Sequence, residues 1–370
     1  MGDKYFFFAG GGTGGHIYPA VAVAEQIVKI QPRAKIHFFC SSRSIDEQIL
    51  GRTGFEYTQL AAKGFSVRPG KLIDFCISFL ASYKIAKEVI VKSKNVVVIG
   101  VGGFVSGPAC LAAHKCKVPI MLLNVDIVPG RANKIISRWA DEIFVQFEET
   151  MQYFAHKSAK VSVVGCPLRS SFGNPEPNKA IEQLRLEKDK KTLLITGASS
   201  GSENINRAIC SLLGKLDAFA DNWQIVHLAG VSNYEKIKSE YGDAKIGHTV
   251  LGYFDDMANL LAAADLVIGR SGAVSVAEFA AAGTPSICMP YPYHRDRHQY
   301  LNAGKLVEAG AAVMVDDLPD EKGRAERLWE ELEELMKDEK KRQKMKRSCE
   351  AIAKKDASLK VAEKLVEMSR

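Results

Sequence analysis

In this 370-residue chain the histidine that closes a run of glycines is well placed for chemistry. Gly10-Gly11-Gly12-Thr13-Gly14-Gly15-His16 follows the apolar run Tyr5 to Ala9 and precedes Ile17, Ala20, Val21, Ala24, Ile27 and Val28, which recur at helical spacing. The pattern predicts a strand, a glycine turn and a helix. Glycines there can let backbone N–H groups crowd a phosphate at the positive helix end, or simply allow a tight packing turn. No Gly-Lys-Ser/Thr follows, which excludes a Walker A loop, and no acidic residue stands about twenty positions on, as a dinucleotide fold requires. His16 at the helix start could take a proton from a reacting hydroxyl.

The second half holds a denser constellation. Gly269-Arg270-Ser271-Gly272-Ala273 follows the apolar Leu266 to Ile268, and Glu278 falls in the helix expected over Val274 to Ala282. A Ser-Gly turn opening a helix is another phosphate cradle, and a carboxylate near its front can accept two vicinal ribose hydroxyls. Gly283-Thr284-Pro285 ends that helix. A polar loop from Pro290 to Gln299 leads to Asn302, so that His298, Gln299 and Asn302 could read a sugar's hydroxyls or serve as ordinary surface residues. Asp255-Asp256 invites a metal reading, but Tyr253-Phe254-Asp255-Asp256-Met257 more simply caps a helix beginning near Met257. No metal and no cofactor are expected.

Positioning these residues calls for parallel sheets. Apolar runs alternate with helical patterns in a βα rhythm, with strands expected at Tyr5 to Ala9, Lys35 to Cys40, Val96 to Val101, Ile120 to Asn124, Glu142 to Val145 and Val161 to Val164. The rhythm restarts at Thr192 to Thr196, followed by a second glycine turn, Gly197-Ala198-Ser199-Ser200-Gly201-Ser202, and a helix through Asn204 and Ile209. Further strands are expected at Gln224 to Leu228, Thr249 to Gly252, Leu266 to Ile268, Ser286 to Met289 and Ala312 to Val315. Between the halves, Gly165 to Asp189 carries Pro167, Pro175 and Pro177 and reads as a link. The fold class is α/β: two Rossmann-like doubly wound domains facing a cleft, over residues 1–168 and 169–347.

Composition narrows the class. With 46% hydrophobic and 25% charged residues the chain is globular. Eight scattered cysteines without a C-x-x-C pair read as reduced core residues. Neither a signal peptide nor the ~18 uninterrupted apolar residues of a membrane span is evident. The net charge is +7, and seven basic residues between Lys337 and Arg347 lack accompanying aromatics, which favours a solvated helix face over a nucleic-acid site. Between Gly70 and Lys94, Leu72, Phe75, Phe79, Leu80, Tyr83, Ala86 and Ile90 form a helical stripe flanked by Lys63, Arg68, Lys71, Lys84, Lys87, Lys92 and Lys94. Such a helix either packs in the core or lies on an anionic membrane surface.

Taken together, GGGTGGHIYPAVAVA at the front, GVGGFVSGPA at Gly100 to Ala109, PGRANK at Pro129 to Lys134, GCPLR at Gly165 to Arg169, and GYFDDM, RSGAVSVAEFAAAGTPSICMPYP and HQYLNA in the second half closely resemble a known family. These are the bacterial glycosyltransferases that add N-acetylglucosamine to undecaprenyl-diphospho-muramoyl-pentapeptide. The resemblance spans nearly the whole chain. It implies the glycosyltransferase-B architecture, with a C-terminal helix over about 348–370 crossing back onto the first domain. It further implies His16 as general base, with the loop Gly12, Thr13, Gly14 and Gly15 together with Gly102 and Gly103 at the acceptor diphosphate. By the same resemblance Ser199 and Arg169 contact the donor diphosphate, Phe254 marks where backbone grips uracil, and Glu278 holds the ribose behind the Ser271-Gly272-Ala273 turn. Gln299 and Asn302 would then read sugar hydroxyls, and Asp126 is the next candidate base.

Two segments depart from the family pattern. Leu123-Asn124-Val125-Asp126 replaces His-Glu-Gln-Asn, and Gly197-Ala198-Ser199-Ser200-Gly201 replaces Gly-Gly-Ser-Gln-Gly. The implied partners are UDP-N-acetylglucosamine, the undecaprenyl-diphosphate-linked muramoyl-pentapeptide and an anionic inner-membrane surface, with no nucleic acid. The implied place is the cytoplasmic face of the bacterial inner membrane, held peripherally. A related glycosyltransferase-B enzyme with a different UDP-sugar or lipid acceptor, a UDP-sugar epimerase with the same paired architecture and a catalytically silent cell-envelope scaffold stand as alternatives.

Overall fold

The computed structural model describes residues 4–65, 68–155, 159–198 and 201–369. Its contacts divide the chain into two units, residues 1–170 with 355–370, and residues 171–354. In the first unit the elements run β1 (Tyr5–Gly10), α1 (Gly14–Ile30), β2 (Lys35–Ser41), α2 (Ser44–Leu50), β3 (Glu56–Leu60), α3 (Pro69–Val91), β4 (Val96–Gly102), α4 (Ser106–Lys115), β5 (Ile120–Asn124), α5 (Arg131–Ile136), β6 (Glu142–Val145) and β7 (Lys160–Val163). The strands form one sheet in the order β3-β2-β1-β4-β5-β6-β7, every neighbour parallel. Helices can cover both faces of such a sheet, so its central strands read as continuous apolar runs. Phe6, Phe7 and Phe8 of β1 are all buried, as are Val97, Val98 and Ile99 of β4.

The second unit contains α6 (Pro177–Leu184), β8 (Lys191–Thr196), α7 (Glu203–Leu216), β9 (Trp223–Leu228), α8 (Tyr234–Glu240), β10 (Gly247–Leu251), α9 (Met257–Ala263), β11 (Leu266–Gly269), α10 (Ala273–Ala282), β12 (Ser286–Cys288), α11 (His298–Glu308), β13 (Ala312–Met314), α12 (Glu321–Lys337) and α13 (Glu339–Ile352). Its sheet runs β10-β9-β8-β11-β12-β13, again parallel. In each sheet the strand order reverses beside the first strand, between β1 and β4 and between β8 and β11. The turns that leave those strands meet there, which is where open α/β sheets bind ligands.

Four expectations need correction. The strand β3 went unseen in the sequence because it is a polar edge strand with only Leu60 buried. The segment from Gly165 to Asp189 is not a plain link, since Pro177 starts α6, which packs on α9. The returning C-terminal segment does not begin near residue 348. Residues 339–352 form α13 within the second unit, and α14 (Ala357–Met368) packs on α1 with Ala357, Val361, Ala362 and Leu365 buried. Finally, the apolar stripe of α3 is not one surface. Ser78, Ser82, Ala86 and Ile90 form the buried seam, because small residues let α3 approach α4 closely. Phe75 and Phe79 are half-buried, and Ile73, Ile77 and Leu80 stand 61%, 64% and 58% exposed.

Candidate active site

At the switch point of the first sheet, two glycine turns interlock. A Cβ on Gly103, at φ +81°, would sit 2.5 Å from the Gly11 carbonyl oxygen, and one on Gly102, at φ +106°, 2.9 Å from His16 Nε2. Both positions therefore need glycine for conformation and for space. Gly11 is equally confined, its Cβ position lying 2.1 Å from Asp46 Oδ2. Gly12 and Gly15 meet nothing closer than 3.7 Å, so the packing role belongs to the front of the loop and the open backbone to its end.

Asp46, which sequence reasoning missed, holds this loop. Its fully buried carboxylate accepts from Gly12 N at 2.8 and 2.9 Å, Ser41 N at 2.9 Å and Ser41 Oγ at 2.6 Å. Arg43 Nη1 donates to the Gly12 carbonyl at 2.8 Å. The Gly12 N–H is thus committed to protein, leaving the N–H groups at the start of α1, around Thr13, Gly14 and Gly15, to face an anion. Asp46 sits 34 residues from Gly12, and no local pattern signals the pairing.

His16 lies in the first turn of α1, its Nδ1 3.1 Å from Thr13 Oγ1. Desolvation pushes its pKa below the usual 6.5, against the opposing pull of Asp126, the Gly11 backbone and Asp46. It is therefore a neutral imidazole at pH 7. With the proton on Nδ1 and directed to Thr13, Nε2 keeps its lone pair beside Gly102 and can act as base. His16, Gly102, Gly103, Asn124, Asp126 and Asn133 line one end of a cavity of about 640 Å3 within this unit. Asn133 donates to Asn124 Oδ1 at 2.9 Å, while its own Oδ1 is buried without a hydrogen-bond partner. Asn124 in turn donates to the Asp126 carbonyl at 2.6 Å. Arg169 also belongs to the first unit, rather than to the second as its expected domain boundary had it, and its guanidinium lies 4.5 Å over the Tyr18 ring of α1.

In the second unit the turns after β8 and β11 are pinned by a buried ion cluster. Arg270 Nη2 donates to Asp317 Oδ2 and to Ser202 Oγ, both at 2.8 Å, and Nη1 to the carbonyls of Met289 and Pro290. Arg324 Nε and Asn204 Nδ2 complete the shell of Asp317. Arg270 is thereby a structural pin rather than a free cation. Above it, Ser271 is buried with its Oγ on the Gln299 carbonyl at 3.0 Å, Gly272 caps α10, and Ala273 is its first residue. Glu278 is half-buried on α10. Asn302 is fully buried and donates to the Ser271 carbonyl at 3.3 Å, and Gln299 Oε1 accepts from Tyr291 N at 2.9 Å. These two residues tie the 290–299 loop to the α10 turn. Phe254 is 7% exposed, in the loop after β10. Ser199 lies outside the described residues. Asp256 caps α9 by accepting from Asn259 N, and Asp255 accepts from Tyr253 Oη at 3.0 Å.

The match to known proteins spans both units. Residues 6–145 match the Glycosyltransferase family 28 N-terminal domain and residues 192–363 the Glycosyltransferase family 28 C-terminal domain. A relative from Thermoanaerobacter sp. (strain X514), named UDP-N-acetylglucosamine--N-acetylmuramyl-(pentapeptide) pyrophosphoryl-undecaprenol N-acetylglucosamine transferase, is 33% identical over 363 residues, covering 96% of this chain and 97% of its own. Among solved structures, MurG of Acinetobacter baumannii aligns with a TM-score of 0.71 at 24% identity, over 98% of this chain and 99% of that one. The UDP-GlcNAc 2-epimerase of Neisseria meningitidis, bound to UDP-GlcNAc, aligns with a TM-score of 0.68 at 15% identity, over 99% and 100%. Two parallel Rossmann-like sheets, each with a glycine turn at its switch point, and sequence identity sustained along both units establish that the chain belongs to glycosyltransferase family 28 and has the glycosyltransferase-B fold.

Proposed function

We propose that this protein transfers N-acetylglucosamine from UDP-N-acetylglucosamine to the 4-hydroxyl of undecaprenyl-diphospho-N-acetylmuramoyl-pentapeptide, with inversion at the anomeric carbon, in peptidoglycan biosynthesis. The observation that carries the reading is sequence identity with transferases of that name along the whole chain. The first unit adds a neutral imidazole on a cavity wall. His16 Nε2 takes the proton of the attacking hydroxyl as its oxygen bonds to the anomeric carbon, and the bond from that carbon to the diphosphate oxygen breaks, its electron pair leaving with UDP. Backbone N–H groups at the starts of α1 and α10 serve the acceptor diphosphate and the nucleotide respectively, while Glu278 accepts the ribose hydroxyls. Arg169 and Ser199 contact the donor diphosphate, the backbone near Phe254 grips the uracil, and Gln299 and Asn302 shape the sugar pocket through the Ser271 turn. Asp126 holds the imidazole's charge as the proton arrives.

Among the described residues no helix is long and apolar enough to cross a membrane. Peripheral attachment at the cytoplasmic face of the inner membrane fits the exposed apolar residues of α3 and the lysines flanking them. The epimerase reading draws on the shared fold alone. Incubation with radiolabelled UDP-N-acetylglucosamine and the lipid-linked muramoyl acceptor decides: label in the lipid fraction with free UDP supports transfer, and an isomerised UDP-sugar with unlabelled lipid overturns it.

A further inference from the structure

The cavity that His16 lines does not end at polar groups. Beyond Gly102 and Gly103 its walls turn aromatic, with Phe65, Phe75, Phe79, Phe104, Ile135 and Trp139. Phe65 and Phe75 meet edge to face at 5.5 Å, and Phe75 and Phe79 are tilted at 5.6 Å. Two glycines make room for this wall. A Cβ on Gly64 would fall 2.9 Å from the Phe104 ring, and one on Gly107 3.3 Å from Phe79 Cε2. Phe65, Phe104 and Ile135 remain 54%, 49% and 51% exposed around the opening, an uncommon concentration of apolar surface unless something apolar covers it. Lys63 and Arg131 also line the cavity, Lys63 paired with Asp74 at 3.1 Å.

We propose that this aromatic end binds the isoprene units next to the diphosphate of the acceptor, so that the lipid is gripped by its first carbons inside the first unit and not by the bilayer alone. The inference rests on the reading given under Proposed function, and it assigns a part of the acceptor to a part of the cavity. The order of chemical groups along the acceptor matches the order along the wall. A sugar hydroxyl at His16 would be followed by a diphosphate beside the glycine turns, and then by a hydrocarbon chain from Phe104, next to Gly103, toward Phe65, Phe75 and Phe79, the last two on α3, the helix on which Lys63 finds its partner Asp74. The exposed face of α3, with Ile73, Ile77 and Leu80, lies on the same helix as Phe75 and Phe79 and is a separate surface suited to the bilayer itself. A chain passing from membrane to cavity along α3 would meet the two in turn.

Calorimetry on the full-length protein without membrane or detergent tests this, comparing a two-isoprene diphosphate with inorganic pyrophosphate. Each CH2 removed from water is worth about fourfold in affinity, so the prenyl compound should bind at least about tenfold more tightly. Phe75→Ala and Phe79→Ala should each cut that ratio several-fold, and Ile77→Ser should leave it as in the wild type. Melting curves report whether each variant is folded, and the ratio is insensitive to a loss of folded fraction. Equal affinity for the two ligands overturns the proposal, as does a ratio that survives both phenylalanine variants. Because no transfer is read, failure of the radiolabel assay counts against the reaction and not against this pocket.

Discussion

His16 is set between burial, which disfavours its charged form, and two carboxylates, which favour it. Because the net effect lowers its pKa, the acid limb of kcat/KM should lie below pH 6.5, with the base competent above it. Replacing His16 by Ala should cost turnover roughly 10² to 10⁴-fold with donor affinity little changed. Near-normal turnover would pass the role to Asp126. Asp46→Asn removes a charge that raises the His16 pKa, so the acid limb should move further down in a pH–rate profile. The same change sets an amide N–H2 among donors and should cost at least about 2 kcal/mol of stability in denaturant unfolding. An unmoved limb would confine Asp46 to packing. In the second unit, Glu278→Ala should weaken UDP by about 1 to 3 kcal/mol by calorimetry, and unaltered binding would place the nucleotide elsewhere.

Among elements, α3 shows how one periodic stripe can serve several purposes. Sequence periodicity grouped Phe75 and Phe79 with Leu72 and Leu80, but the first pair faces a cavity and Ile73, Ile77 and Leu80 face solvent. The test of docking therefore belongs to the outer residues. Ile73→Ser with Ile77→Ser should reduce sedimentation with anionic vesicles, as should Lys84→Glu with Lys87→Glu, each basic residue near the surface being worth about 1 kcal/mol. Unchanged vesicle binding in both pairs would remove α3 from the membrane. Of the basic run in α12 and α13, Arg342 turns inward, donating to the Leu335 and Met336 carbonyls and lying 4.9 Å over Trp223, while Lys337 and Lys341 pair with Glu333 and Glu334. Lys337, Lys340, Lys344, Lys346 and Arg347 are exposed, so the run is the solvated helix face expected of it, with Arg342 alone turned in. The turn after β8 carries Ala198 at φ +60°, where the family pattern has glycine. A left-handed alanine costs roughly 1–2 kcal/mol, against roughly 0.5–1 kcal/mol of extra chain entropy for glycine. Ala198→Gly should thus raise the melting temperature slightly, and a fall would mean that the turn relieves the strain by other contacts.

For the whole molecule, the informative segment is α14, which returns from the second unit's chain to cover α1, the helix that presents His16. Five buried residues of α14, Ala357, Ser358, Val361, Ala362 and Leu365, contribute to that cover. What the sequence by itself determined was the α/β class, twelve of the strands within a residue or two, and the turns that matter, because buried parallel strands and glycine turns are written in local runs of a few residues. Position β3 was illegible since an edge strand buries too little to be apolar. Tertiary structure alone decided which glycine N–H groups remain for a ligand, because Asp46 is 34 residues from Gly12, and it alone showed Arg270 to be bound by Asp317, 47 residues on. It also separated the three surfaces of α3, since the small serines that permit close packing on α4 look polar in the chain and buried in the fold. Pattern reports what a residue prefers, whereas the role of Asp46, Arg270 or Phe79 depends on partners that only folding brings within reach.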